Sequence, residues 1–231
     1  MKKLVLIRNL LIISFSTIII GKPVQAAQYP SALEGISDVD VSMVLGAGGG
    51  PEIPAPGPGF PELPELPIPE NPETGFLSLR YISTIDFGES FVLANNQHLF
   101  AKQDVNGAFP MVTVQDYRNE TIRDGWHLTV KQEEELLDGA QIKMVPSIDP
   151  DIAKSLEIKM SPVSELILNS SNQTFATTTN EGTKANPAGI VSMPMGTSSG
   201  GVELVIPSYS AAGEYSTKLI WNLIVGPEIE I

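Results

Sequence analysis

The sequence predicts an all-β domain, a sandwich or barrel-like fold of about ten to twelve short antiparallel strands, preceded by a signal peptide and a proline-rich extended spacer. Three observations carry this. From Phe76 onward, short runs of β-branched and aromatic residues are separated by Gly, Asn, Asp and Pro. The clearest runs alternate with period two. In "WHLTV", Trp126, Leu128 and Val130 share one face, with His127 and Thr129 on the other; in "WNLIV", Trp221, Leu223 and Val225 share one face, with Asn222 opposite. "KQEEELLDG" is the one stretch that reads as a helical turn.

The chain opens with Lys2, Lys3 and Arg8, then an apolar run from Leu10 to Ile20. Val24 and Ala26 supply small side chains at the −3 and −1 sites of a cleavage point. Residues 1–26 therefore read as a secretory signal peptide cleaved after Ala26. The competing reading, an uncleaved anchor, needs roughly 20 apolar residues, and this run is shorter. No second long apolar stretch follows, so the mature chain is expected to have no membrane span. Residues 27–50 read as a short N-terminal segment ending in a glycine cluster.

Residues 51–74 carry proline every two or three positions, mixed with glutamate. Proline removes a backbone donor and disfavours helix in the residue before it, so this stretch reads as an extended spacer. Residues 75–231 then form the β domain. The expected strands are "FLSLRYI", "SFVLA", "HLFAK", "MVTV", "WHLTVKQ", "AQIKMV", "SLEIKM", "ELILN", "TFATT", "GIVSM", "VELVIP" and "EYSTKLIWNLIV".

Cleavage removes four cations and no acids, leaving 10 basic against 27 acidic residues, a formal charge of −17. That balance excludes nucleic acid as a partner, since binding it rewards cations that neutralise phosphates. There is no cysteine, which removes disulfides, thiol catalysis and thiolate metal sites. Of the two histidines, His98 lacks metal-ligand spacing and His127 is expected to face solvent. Asp149 and Asp151 lack the rest of a calcium loop and read as a turn. Asp124–Gly125 and Asp138–Gly139 read as hairpin turns. Glu133, Glu134 and Glu135 read as a solvated charge run. Nothing singles out a pair of glycosidase carboxylates. The expectation is a protein with no catalytic residues, no metal and no cofactor. "NPETG" at 71–75 approaches a sortase signal, but its first position is Asn and a whole domain follows, so it reads as the turn ending the spacer.

Against this background the two Trp-x-Leu stretches gain weight. "DGWHLTVKQ" and "LIWNLIVGPE" resemble the paired motifs of the WxL surface-protein domain of low-GC Gram-positive bacteria. "RYISTIDFGE" resembles that family's opening segment. "VTVQDYRNETIRDGW" is similar to its pattern of strand, Asp-x-Arg, turn and tryptophan, carried by Asp116 and Arg118. "LVIPSYSAAGEYSTKLIWNL" is similar to its closing pattern. The resemblance covers roughly Gly75 to Ile231. It implies a non-enzymatic domain attached non-covalently to the cell wall at the cell surface, with peptidoglycan or another wall polymer as ligand. It also implies partners: a membrane-anchored class of WxL-binding proteins, and other WxL proteins in surface complexes. An alternative is an interaction subunit held at the surface by the membrane-anchored partner, without glycan contact.

The tryptophans admit two roles. Trp126 and Trp221 could stack on a sugar ring or stem peptide, with Asp116, Arg118 or Asn222 supplying hydrogen bonds. They could instead be core residues, each anchoring a strand, with Leu128 and Leu223 completing the buried face. The alternation favours the core.

Overall fold

The computed structural model describes residues 27–44, 75–102, 110–161, 165–178, 186–196 and 201–226. The expected signal peptide and the proline-rich stretch lie outside the described residues. Among the described residues fourteen strands form in chain order. They are β1 (Gln28–Ser31), β2 (Glu34–Val44), β3 (Leu77–Ile82), β4 (Ile85–Phe91), β5 (Gln97–Phe100), β6 (Met111–Asp116) and β7 (Trp126–Gln132). Then come β8 (Gln141–Met144), β9 (Ile158–Met160), β10 (Leu166–Ile167), β11 (Gln173–Thr178), β12 (Gly189–Pro194), β13 (Glu203–Ile206) and β14 (Gly213–Val225).

Three sheets result. The largest has seven strands in the order β1-β2-β14-β7-β11-β9, with β4 also paired to β2. A four-stranded sheet runs β10-β8-β13-β5, and a three-stranded one runs β12-β6-β3. Inward-facing residues of all three meet in one hydrophobic core. Val39, Leu79, Val114, Leu128, Ile142, Met193, Leu204 and Trp221 are among its members, each at most 1% exposed. The all-β sandwich expectation holds, with one addition: β2 and β4 pair in parallel.

The N-terminal boundary is corrected. Residues 27–50 were expected to stand outside the β domain, yet β2 lies within its largest sheet, paired with β14 from Gly213↔Met43 to Asn222↔Glu34. Val39 and Val41 are core residues there. β2 and β3 thus belong to one domain.

The helical expectation is also corrected. Residues 131–132 end β7, and a turn follows in which the Gly139 N–H donates to Glu135 Oε1 at 2.8 Å. The helix lies at Pro150–Ser155 instead. Asp149, expected in a plain turn, is its N-cap and accepts from the N–H groups of Asp151 and Ile152. Pro150 takes the first turn, where a missing N–H does no harm. Asp124–Gly125 and Asp138–Gly139 do not close hairpins. Each lies in a loop that carries the chain from one sheet to another. "SFVLA" is shifted as well, since the strand there is β4 and ends at Phe91.

Candidate functional site

The two Trp-x-Leu stretches are neighbours. β7 and β14 pair antiparallel with Trp126↔Val225, Leu128↔Leu223 and Val130↔Trp221 in register. Each strand reads Trp-x-Leu-x-Val, so antiparallel pairing sets each tryptophan opposite the other strand's valine. The two leucines meet at the centre. Trp126 is 3% exposed and Trp221 0%. The Trp221 indole meets the Phe175 ring edge-on, with centroids 5.2 Å apart. Its Nε1–H donates to Ser37 Oγ at 3.2 Å, which satisfies the one polar atom of the ring inside the core. Leu128 and Leu223 are equally buried. All four motif residues therefore lie in the core.

Asp116 and Arg118 hold the loop that delivers the first tryptophan. Arg118 Nε donates to Asp116 Oδ1 at 2.9 Å and Nη2 to Asp116 Oδ2 at 2.8 Å, a two-pronged ion pair. Nη2 also donates to the Gly125 carbonyl at 2.7 Å, and Nη1 to Asp124 Oδ1 at 3.3 Å. The hydrogen bond to Asp116 raises the guanidinium above its ordinary pKa, with burial opposing it. Arg123 adds a second clamp, donating from Nη1 to the Arg118 carbonyl at 2.6 Å and from Nε to the Asn186 carbonyl. The Trp126 N–H then donates to Thr178 Oγ1 at 2.9 Å, and that hydroxyl donates to the Trp126 carbonyl at 3.1 Å. Gly125 has φ +94, and a Cβ there would lie 2.2 Å from Thr178 Oγ1, so only glycine fits before the tryptophan. Asp116 and Arg118 are buried and spend their hydrogen bonds on the protein itself.

The residues between Trp and Leu face the other way. Asn222 and Thr129 stand opposite each other across β14 and β7, on the outer face. Glu34 of β2 pairs with Asn222, and Thr174 of β11 pairs with Thr129. Together they make a polar row across four strands, about 14 Å long at the usual strand spacing. Ile36, Ile220 and Lys131 run along one side of it, and Ile224, His127 and Thr177 along the other. His127 is half-buried, and its Nδ1 lies 3.0 Å from the Gly226 carbonyl, so it is less exposed than its position suggests. Thr129 is 7% exposed, and among the described residues its Oγ1 has no hydrogen-bond partner. The sequence names Asn222 as a possible contact but passes over Thr129. Alternation alone puts Thr129 on this face, and its pairing partners emerge only with the register.

Among the described residues, no group of three or more His, Asp or Glu gathers as a metal site. No helix among them is long and apolar enough to cross a membrane.

Fold and motif together define a β-sandwich whose paired Trp-x-Leu strands form the middle of its main sheet. The family model described as WxL domain surface cell wall-binding matches residues 33–227. The chain belongs to this family, and is a cell-surface protein associated with the cell wall. The family is a cell-wall-binding one and is not known for enzymatic activity. The match begins at residue 33, which takes in β2 and agrees with its place in the sheet. No curated protein and no solved structure matches the chain.

Proposed function

We propose that the chain is held at the wall by direct contact with the wall polymer, peptidoglycan being the ligand class. The outer face of the large sheet makes that contact. The observation that carries this is Thr129 Oγ1, buried and without a hydrogen-bond partner among the described residues, beside the Asn222 amide. A buried hydroxyl without a partner is costly, and a ligand bearing hydroxyl and amide groups would satisfy it. The flanking aliphatic side chains offer apolar surface to sugar rings. The indoles serve as scaffold for this face and do not touch the ligand.

The test is retention of the secreted chain on purified cell walls in a pelleting assay. Thr129→Val keeps the shape and removes the hydroxyl, so it should hold or raise the melting temperature while lowering retention. Asn222→Ala should lower retention with the fold intact. Equal retention of wild type and both variants would overturn the assignment to this face. No pelleting by the well-folded wild type would overturn direct binding.

A second reading is attachment through a membrane-anchored partner protein. It is favoured by exposed apolar side chains on and beside the three-stranded sheet. Phe76 (73% exposed) and Tyr117 (50%) are adjacent, since the Tyr117 N–H donates to the Phe76 carbonyl, and Ile190 (45%) pairs with Gln115 on the same face. This reading predicts co-purification with a membrane protein, lost on Tyr117→Ser, and no retention on walls stripped of protein.

A further inference from the structure

At the far end of β14 from Asn222, two loops meet. Residues 92–96, after β4, contribute Asn95 and Asn96, and residues 207–212, between β13 and β14, contribute Ser208, Tyr209 and Ser210. Tyr209 is 75% exposed, the most exposed large apolar side chain among the described residues. Its φ is +58, in the left-handed region. A bulky side chain rarely sits there, and glycine would do so without strain. Strain of this kind persists where the surroundings impose it, and it concentrates at binding sites.

The surroundings do impose it. The Tyr209 N–H donates to the Leu93 carbonyl at 2.9 Å, and the Ser208 N–H donates to Asn96 Oδ1 at 3.0 Å. Ser210 Oγ donates to the Pro207 carbonyl at 2.7 Å, and Tyr215 Oη to the Ala211 carbonyl at 2.9 Å. The ring is thus presented to solvent by a braced loop, so little order need be gained on binding.

The chemistry of the tip is uniform. In a chain of formal charge −13, residues 92–96 and 207–212 contain no charged side chain at all. They offer one aromatic face with amides and hydroxyls around it. An anionic or cationic ligand finds no counter-charge there. A protein partner usually needs about 800 Å² on each side, far more than one ring and a few small residues supply. An uncharged sugar ring fits, stacking its C–H face on the aromatic ring and hydrogen-bonding at its rim.

We propose that Tyr209 is the stacking platform of a separate site for uncharged hydroxyl- and acetamido-bearing sugars, flanked by Asn95, Asn96, Ser208 and Ser210. Gly213, where β14 begins, is about 30 Å from Asn222 at the usual rise per residue. Two weak sites at that separation suit a repeating polymer, because binding at one raises the effective concentration at the other.

The test titrates the secreted chain with a soluble N-acetylglucosamine tetramer, read by calorimetry and by the tyrosine ring signals in NMR. Tyr209→Gly relieves the backbone and removes the ring. It should melt at or above the wild-type temperature and bind the tetramer at least tenfold more weakly. Tyr209→Phe should bind like wild type. No tetramer binding by the wild type, or unchanged binding by Tyr209→Gly, would overturn the proposal. So would loss of a protein partner in Tyr209→Gly with its tetramer binding unchanged. Wall pelleting separates this from the outer-face reading. If Asn222→Ala stops pelleting while Tyr209→Gly neither pellets less nor binds tetramer less, the tip proposal fails and the outer-face reading stands. If wild type does not pellet yet binds tetramer through Tyr209, the reverse holds.

Discussion

Leu128 and Leu223 stand directly opposite each other across β7 and β14, so the central residues of both Trp-x-Leu stretches form one buried pair. The stretches are a single structural unit, and neither is complete without the other. Leu128→Ala and Leu223→Ala should each cost about 2–5 kcal/mol. Because the side chains share a partner, the double variant should lose measurably less than the sum, by at least about 0.5 kcal/mol. Chemical denaturation of the four chains completes the cycle. Strict additivity would mean that the pair does not pack as described.

Arg118 and Asp116 make a buried ion pair, with side chains 9% and 5% exposed. Arg118→Met leaves a carboxylate buried without its cation, and should cost about 3–5 kcal/mol. Adding Asp116→Asn removes that stranded charge and should recover part of the loss. If both residues instead contacted a ligand, Arg118→Met would leave the melting temperature in place and act on wall retention alone.

Gly35 in β2 pairs with Trp221. A Cβ at Gly35 would lie 2.1 Å from Ile82 Cδ1. Gly35→Ala should therefore destabilise by about 1–3 kcal/mol through overpacking. Ile82→Val deletes the clashing atom, so Gly35→Ala with Ile82→Val should be more stable than Gly35→Ala alone. Thermal melts of the three variants decide this, and they also test whether β2 is part of the domain.

The Tyr29 hydroxyl accepts a hydrogen bond from the Ile82 N–H at 2.7 Å, tying β1 to the end of β3. Burial raises its pKa above the ordinary tyrosine value. Tyr29→Phe removes the acceptor from a buried N–H and should cost about 1–3 kcal/mol. A loss near zero would mean that β1 contributes nothing to the folded domain.

Asp38 supplies the pH dependence. Burial raises its carboxyl above the ordinary value, and the charge of Lys218 only partly offsets this. A carboxyl that holds its proton more tightly in the folded state makes folding more favourable as pH falls through that range. Its contribution therefore declines from the unfolded pKa upward and is fully unfavourable above the folded one. Asp38→Asn should be more stable than wild type at neutral pH, with the advantage shrinking on acidification. Denaturation midpoints of both chains across the acid range test the sign.

The strands from Phe76 onward are legible because their inner positions are filled by large apolar residues at period two. β2 alternates just as well, but its inner face begins Gly35 and Ser37 before reaching Val39 and Val41. Those small residues make room for the Trp221 indole and for Ile82, and a pattern search for hydrophobic positions passes over them. The helix at 150–155 is hidden for a different reason, since Asp149-Pro150 serves equally as a turn or a helix start. The site shows the same limit. Alternation shows that Asn222 and Thr129 point away from the tryptophans, but only the register sets them side by side.

The position of β14 has a consequence for timing. Among the described residues it follows every other strand, yet it lies between β2 and β7 in the middle of the largest sheet. In a chain that crosses a membrane N-terminus first, β2 waits for this strand through the passage of nearly everything else. Closing so long a loop makes assembly slow. The largest sheet is thus completed last, by the strand at its centre.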